Sequence, residues 1–319
     1  MSGTTTDAFS GTKPSSVLFV HIPKTAGTTL NRILEREYST PASYQEPSGV
    51  GSRDGCAGVE AMTESERRRF RVFSGHFPFG VQRLLPPPVF TVTLLRDPLE
   101  RVLSQYYHVA RTSDHCLHRR HRAEESPHPS LTEFLSAGAV TLDNWQARVL
   151  AGPEAMALPF GACVRDVLEQ AKKNLACDIA LAGLTERFDE TVVLLWRRLG
   201  WIMPCYLREN VGWNRRGRDE VPREALRLIW QQTQWDRELY AFAAARLEEQ
   251  IARQGAAFAD DLRRFRIANV RYRRLKVLIH SRPLRPLRSL LSTGHKIGLD
   301  ATLRTVFGHR GPSPANISP

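Results

Sequence analysis

Short apolar runs alternate with stretches of helical period along most of the chain. VLFVHI (Val17–Ile22) has the length and β-branched character of a buried strand. PKTAGTT follows as a tight turn, and in TLNRILEREY the positions Leu30, Ile33 and Leu34 recur at helical spacing. Residues 39–62 are rich in Gly, Ser and Pro and predict a loop. TESERRRF carries Thr63-x-x-Glu66, the pattern of a capping box, and predicts a short helix. VFSGHFPFG (Val72–Gly80) predicts a strand running into a turn, and VFTVTLL (Val89–Leu95) a further strong strand. After Arg96, Asp97 is placed to cap a helix and Pro98 suits its first position. The apolar stripe of that helix is Leu99, Val102, Leu103, Tyr106 and Val109.

Further along, residues 112–130 are polar and His-rich and predict a loop. SLTEFLSAG and LDNWQARVLAG predict helices, as do Asp166–Asn174 and Asp189–Leu199, with CDIALAGL (Cys177–Leu184) a buried strand between the last two. REALRLIWQQT and WDRELYAFAAARLEEQIAR predict one or two long helices, opened by Pro222 and closed by Gly255. Strands alternating with helices imply an α/β fold: a three-layer arrangement with a mostly parallel central sheet and helices on both faces.

Composition changes this picture mainly through charge. The 319 residues carry 45 Lys plus Arg against 33 Asp plus Glu, a formal net charge of +12. A surplus of that size first suggests nucleic acid, an anionic membrane or an acidic substrate. Residues 255–319 hold 13 of the basic and 3 of the acidic side chains, so nearly all of the surplus is C-terminal. The body is close to neutral and contains no recognised reading module, which argues against a nucleic-acid binder. The expected organisation is a Ser/Thr/Gly-rich tail at 1–15, an α/β domain at 16–254 and a basic extension at 255–319. In the extension Val270, Leu275, Leu278 and Ile279 are expected to share one helical face among arginines, a candidate contact for an anionic membrane surface. An anionic partner or a solvated extension fits the same composition. The five cysteines, at 56, 116, 163, 177 and 205, include no CxxC pair, so neither a disulfide framework nor a zinc ribbon is expected. No apolar leader core precedes the first strand, and no uncharged apolar run approaches the ~18 residues of a spanning helix. The expected location is the cytoplasm, with peripheral attachment at the inner membrane face as an option.

Three places carry candidate chemistry. In PKTAGTT, Gly27 and its small neighbours let backbone N–H groups approach a phosphate, the following helix start adds its positive dipole end, Thr28 and Thr29 add hydroxyls, and Lys24 adds an ammonium. The lysine precedes the glycine, so this is not GxxxxGK[ST]. A plain helix start after a strand remains an equal reading of the same residues. In LLRDPLERVLSQYYH, Arg96 leaves a strand end and Ser104 lies eight residues on. In a parallel sheet such strand ends open on one edge, where ligands bind; a surface ion pair for Arg96 is the alternative. His76, in SGHFPFG, is either a structural turn residue or a base facing that same edge. DHCLHRRHRAEESPH fits no standard zinc spacing and reads as a loop, exposed or near an anionic acceptor. DNWQARVLAG offers Asp143, Asn144, Gln146 and Arg148 either to an acceptor or to a buried polar network between helices.

HIPKTAGTT together with TLLRDPLERVLSQYYH resembles the sulfotransferases that use 3′-phosphoadenosine 5′-phosphosulfate (PAPS), and within them the carbohydrate branch that includes the heparan sulfate 2-O- and 6-O- and chondroitin sulfotransferases. GHFPFG, DNWQARVLAG, LAGLTERFDE and WDRELYAFA also resemble segments of that branch, so the likeness runs from about Val17 to Arg253. It implies a P-loop-like fold, PAPS as sulfuryl donor and a carbohydrate acceptor; no metal is expected, because VFTVTLL carries no carboxylate to place one. It implies that Lys24, Thr25, Ala26, Gly27, Thr28 and Thr29 surround the 5′-phosphosulfate, that Arg96 and Ser104 hold the 3′-phosphate, and that His76 is the catalytic base, with Lys24 also acting in catalysis. By the same resemblance, Thr185, Glu186 and Phe188 are expected in a segment near the nucleotide, and Arg215 and Arg216 in a loop similar to one that reaches it in relatives. An atypical P-loop kinase is the competing enzyme class, disfavoured because VFTVTLL carries no carboxylate to place Mg²⁺. A catalytically inactive nucleotide- or glycan-binding protein is the other alternative.

Overall fold

A computed structural model describes residues 14–46, 56–111, 129–208 and 218–280. Among them, five strands form one sheet: β1 (Ser16–Val20), β2 (Ser43–Gln45), β3 (Val72–Gly75), β4 (Val89–Leu95) and β5 (Leu181–Leu184). Their order is β2-β3-β1-β4-β5 and every neighbouring pair is parallel. All residues of β1, β3 and β5 are buried, so helices cover both faces, as an all-parallel sheet requires. The α/β class read from the alternation of runs is therefore the observed one.

Parallel order puts every strand's C-terminal end on one edge. Val20 of β1 lies beside Gly75 of β3 on one side and Thr93 of β4 on the other. The residues that follow these strands are thereby brought to one edge, although about 20 to 75 positions separate them in the chain. Helix α1 (Gly27–Tyr38) leaves β1, the short helices α2 (Ala57–Ala61) and α3 (Glu64–Arg67) precede β3, α4 (Pro98–Arg111) leaves β4, and α5 (Leu131–Ser136) follows it. Leu30, Ile33 and Leu34 are buried under the sheet, as their spacing requires.

Three details differ from the sequence reading. The loop expected at 39–62 contains β2 and a short helix at Ala57–Ala61. β2 has only three residues, SYQ, and pairs on one side with β3, so no apolar run announces it. The strand expected at Cys177–Leu184 begins at Leu181, because the helix before it (Arg165–Cys177) runs on through Cys177. The two C-terminal stretches, expected as one or two helices, are two, Arg223–Gln232 and Gln234–Ala252, broken at Thr233. Finally, packing continues past 254. Helix Ala257–His280 places Phe258, Phe265, Ala268 and Tyr272 in the main core, and its Asp261 pairs with Arg197. Val270 and Leu275, expected to share one face, are parted: Val270 is 46% exposed and Leu275 packs, partly buried, against the core. Most of the basic tail, the 112–128 loop and Arg215 and Arg216 lie outside the described residues.

Candidate active site

The loop from β1 to α1 is held under strain. Lys24 and Ala26 have φ of 72° and 66°, left-handed conformations that cost a non-glycine residue roughly 1–2 kcal/mol each. Thr25 stabilises the turn from within: it is buried, and its hydroxyl donates to the Ile22 carbonyl at 2.8 Å. Ala26 is the N-cap of α1, and its methyl side chain makes no cap hydrogen bond. The positive end of a twelve-residue helix therefore opens at the loop that carries Lys24, with Thr28 and Thr29 in its first turn, an arrangement suited to an anion. Gly27 has a second role. A Cβ there would fall 2.0 Å from Cδ2 and Nε2 of His21, so the glycine makes room for that ring.

His21 was not among the residues expected to matter, yet it organises the centre. Its backbone N–H pairs with the Gly75 carbonyl at 2.9 Å, extending the β1–β3 register by one residue. Its ring stacks on Phe19 and lies 4.5 Å, centre to centre, from the ring of His76. Burial, with help from His76 and Lys24, lowers its pKa to about 3, so it is neutral at physiological pH. The signal was present in the sequence as the polar end of an otherwise apolar strand run, VLFVH.

His76 follows β3 directly. Its Nδ1 lies 2.8 Å from the His21 carbonyl oxygen. A carbonyl only accepts, so Nδ1 carries the hydrogen and Nε2 keeps a lone pair. Burial lowers the His76 pKa, the His21 hydrogen bond opposes that, and Lys24 lowers it further. The ring is thus a neutral imidazole with its basic nitrogen fixed. The following turn is anchored by the Phe79 N–H donating to the Val149 carbonyl at 2.9 Å, and by Phe77 and Phe79 in the core.

Arg96 follows β4. Its guanidinium donates to the Lys24 carbonyl at 3.2 Å and approaches Glu100 at 3.4 Å, and its side chain is 13% exposed. It therefore connects two of the three sequence motifs. Asp97 does cap α4: its Oδ1 accepts from the Glu100 N–H at 3.0 Å. Ser104, one turn beyond Glu100 on α4, is buried. Thr185 and Glu186 support the same edge from β5. Thr185 donates to the Leu95 carbonyl, while Glu186 accepts from the Asp97 N–H and the Tyr240 hydroxyl. Phe188 is a core residue.

The DNWQARVLAG segment resolves into a buried network. Asp143, Asn144, Gln146 and Arg148 are all at most 4% exposed. Arg148 pairs with Asp143 and donates to the carbonyls of Ala155, Leu158 and Pro159. The Asn144 side-chain oxygen accepts from the N–H groups of Trp235 and Asp236. The Asp236 carboxylate in turn accepts from the N–H groups of Gln146 and Ala147, capping helix α6 (Trp145–Ala151). Of the two readings of this motif, the structural one holds for Asp143, Asn144 and Arg148.

Comparison with known proteins gives a consistent result. The family model for galactose-3-O-sulfotransferase matches residues 3–285. Chicken heparan-sulfate 6-O-sulfotransferase 1 is 33% identical over 271 residues, covering 71% of this chain and 64% of that protein. The human protein of the same name is 33% identical over 181 residues, covering 50% and 43%. Chicken heparan sulfate 2-O-sulfotransferase 1 is 26% identical over 196 residues, covering 56% and 53%. The chain thus spans less than two thirds of the length of these curated relatives.

Proposed function

The chain belongs to the galactose-3-O-sulfotransferase family, and on that premise we propose that it moves a sulfuryl group from PAPS to a hydroxyl of a carbohydrate acceptor. One observation carries the reading: a neutral histidine with a fixed basic nitrogen, a lysine at an uncapped helix start and a nearly buried arginine share one sheet edge. The donor set fits a nucleotide with phosphates at two positions. Lys24, the backbone at 26–29 and the Thr28 and Thr29 hydroxyls suit the 5′-phosphosulfate, and Arg96 with Ser104 suits the 3′-phosphate.

Bound PAPS supplies an activated sulfuryl group with a phosphate leaving group. His76 Nε2 takes the proton of the acceptor hydroxyl as that oxygen bonds to sulfur and the bridging S–O bond breaks. Lys24 and the first N–H groups of α1 stabilise the negative charge that grows on the departing phosphate oxygen, which is binding specific to the transition state. The Lys24 carbonyl, held by Arg96, ties that ammonium's backbone to the second anion site.

Thermal-shift titration tests the donor assignment. 3′-Phosphoadenosine 5′-phosphate is expected to stabilise the chain well above ADP or ATP; equal stabilisation by all three overturns the two-phosphate assignment and revives the kinase reading. Labelled sulfate transfer to desulfated glycans then tests the acceptor class.

A second reading concerns the last helix. Ile267, Val270 and Val277 are 48, 46 and 69% exposed on the face opposite its buried stripe, with exposed Arg263, Arg266, Arg271 and Arg274 among them. The arginines complement anionic lipid, worth ~1 kcal/mol each near such a surface. The apolar side chains have use in a bilayer interface and none against a polyanionic glycan. Co-sedimentation of the full chain is expected with phosphatidylserine-containing vesicles and not with phosphatidylcholine alone, and to fall for Ile267→Asp with Val277→Asp. Binding that ignores those substitutions, or concentration-dependent dimerisation through this face, ends the membrane reading.

A further inference from the structure

Gln146 is a buried residue that does not belong to the Asp143–Arg148 ion pair beside it. Its side chain is 0% exposed and points at the main chain of Arg96. Its Oε1 accepts from the Arg96 N–H at 2.9 Å, and its Nε2 donates to the Arg96 carbonyl at 2.9 Å. One amide thus closes on both backbone groups of one residue, at the point where β4 ends and the ladder no longer satisfies them. Backbone groups of this kind are ordinarily met by neighbouring strands or water. Here they are met by a side chain from a helix 50 positions away.

That helix is itself fixed. The Asp236 carboxylate, 0% exposed, accepts from the N–H of Gln146 at 3.3 Å and of Ala147 at 2.8 Å. Asn144 ties the same turn to Trp235 and Asp236. Rigid support therefore runs from Asp236 through the first turn of α6 to Gln146 and on to Arg96. Beyond Arg96 it reaches the Lys24 carbonyl, 3.2 Å from the guanidinium, in the strained loop.

We infer that Gln146 is a positioning residue for the 3′-phosphate of the donor: it fixes the backbone of Arg96 so that the guanidinium is held at the sheet edge. The inference rests on the donor reading above. The alternative resting place for the guanidinium is Glu100, already 3.4 Å away and 38% exposed. Freed at its backbone, Arg96 can turn outward to that carboxylate and leave both the phosphate site and the Lys24 carbonyl. A bidentate amide clamp removes that freedom before any ligand arrives, which is preorganisation in the usual sense.

Calorimetric binding of 3′-phosphoadenosine 5′-phosphate and of AMP, which lacks the 3′-phosphate, tests this directly on the full chain. For Gln146→Leu the affinity for the first is expected to fall roughly tenfold or more while that for AMP changes little, so the ratio between the two ligands collapses. A parallel fall for both ligands, or an unchanged ratio, assigns Gln146 a merely structural role and overturns the inference. Gln146→Glu serves if the leucine variant does not fold. A protonated glutamate can still accept from the Arg96 N–H and donate to its carbonyl, whereas an ionised one sets an anion against that carbonyl. Measured against the unsubstituted chain at each pH, the ratio for Gln146→Glu is expected to recover as pH falls; a ratio independent of pH counts against the clamp. An unsubstituted chain that binds AMP as well as the bisphosphate removes the donor reading, and that result is distinct from any behaviour of the variants.

Discussion

Two polar regions of this molecule look alike in sequence and differ in kind. The Asp143–Arg148 segment and the Lys24–Arg96 edge both gather charged and amide side chains into short motifs. In the first, the buried charges meet each other and a ring of carbonyls: Arg148 reaches the Asp143 carboxylate and four backbone oxygens, and Asp143 also accepts from the Gly161 N–H. In the second, a helix start has no side-chain cap, two non-glycine residues sit in left-handed conformations, and an imidazole keeps a lone pair aimed away from its only fixed hydrogen bond. Buried polar groups that are satisfied rigidify a core. Strain and donors directed outward are what a ligand site retains. The α6 helix joins the two regions, holding Arg96 through Gln146 and the His76 turn through the Val149 carbonyl.

The comparison breaks most visibly if the network is cut. Arg148→Met leaves Asp143 buried without its cation, a loss of about 3–5 kcal/mol. The expected outcome is a large fall in melting temperature, or insoluble protein, with any folded fraction still binding the nucleotide. A well-folded Arg148→Met chain that cannot bind would move this segment into the site. The converse substitutions are Lys24→Ala and His76→Ala. Each is expected to cut turnover by about 10²–10³ and to leave the melting temperature nearly unchanged. Near-normal turnover in His76→Ala removes its role as base.

The pH dependence sharpens the same contrast within one pair of rings. His21 is expected to affect stability, because its folded pKa of about 3 lies far below its ordinary 6.5. Between those values the unfolded chain takes up a proton that the folded chain does not. The stability tied to His21 is therefore complete above the upper value and lost as pH falls toward the lower one, about 2 kcal/mol of it by about pH 5. Denaturant melts of His21→Gln are expected to show a shallower acid slope; an identical slope rejects this assignment. His76 is expected to affect rate as well. Its pKa is also depressed, so kcat/KM is expected to be level at neutral pH and to fall on an acidic limb below 6.5.

Much of this was legible in the chain. β1, β4, α1 and α4 announce themselves because strands buried on both faces and helices with one buried stripe have distinct periods. The strand ends then place Lys24, His76 and Arg96 on one edge by topology alone. Three things were hidden for physical reasons. β2 is a three-residue edge strand with no apolar pattern. His21 reads as the end of a strand, and its importance comes from a ring contact across β1 and β3 that no linear spacing reveals. Gln146 pairs with main-chain atoms, which have no sequence signature. The helix at Ala257–His280 was legible as a helix, but its arginines obscured the buried stripe of Phe258, Phe265, Ala268 and Tyr272.

The smallest expected effect separates sulfuryl from phosphoryl chemistry. Asp97 stands where a nucleotide kinase could use a carboxylate to place Mg²⁺, directly after a central strand. Here its Oδ1 accepts from the Glu100 N–H at the first turn of α4, and its own N–H donates to Glu186. A capping side chain of this kind is worth about 1 kcal/mol. Asp97→Ala is therefore expected to lower the melting temperature by a few degrees while sulfate transfer stays within several-fold of the unsubstituted chain. If turnover instead vanishes with the fold intact, the carboxylate serves the reaction, and the contrast between a satisfied scaffold and an open site must be redrawn to put Asp97 in the site.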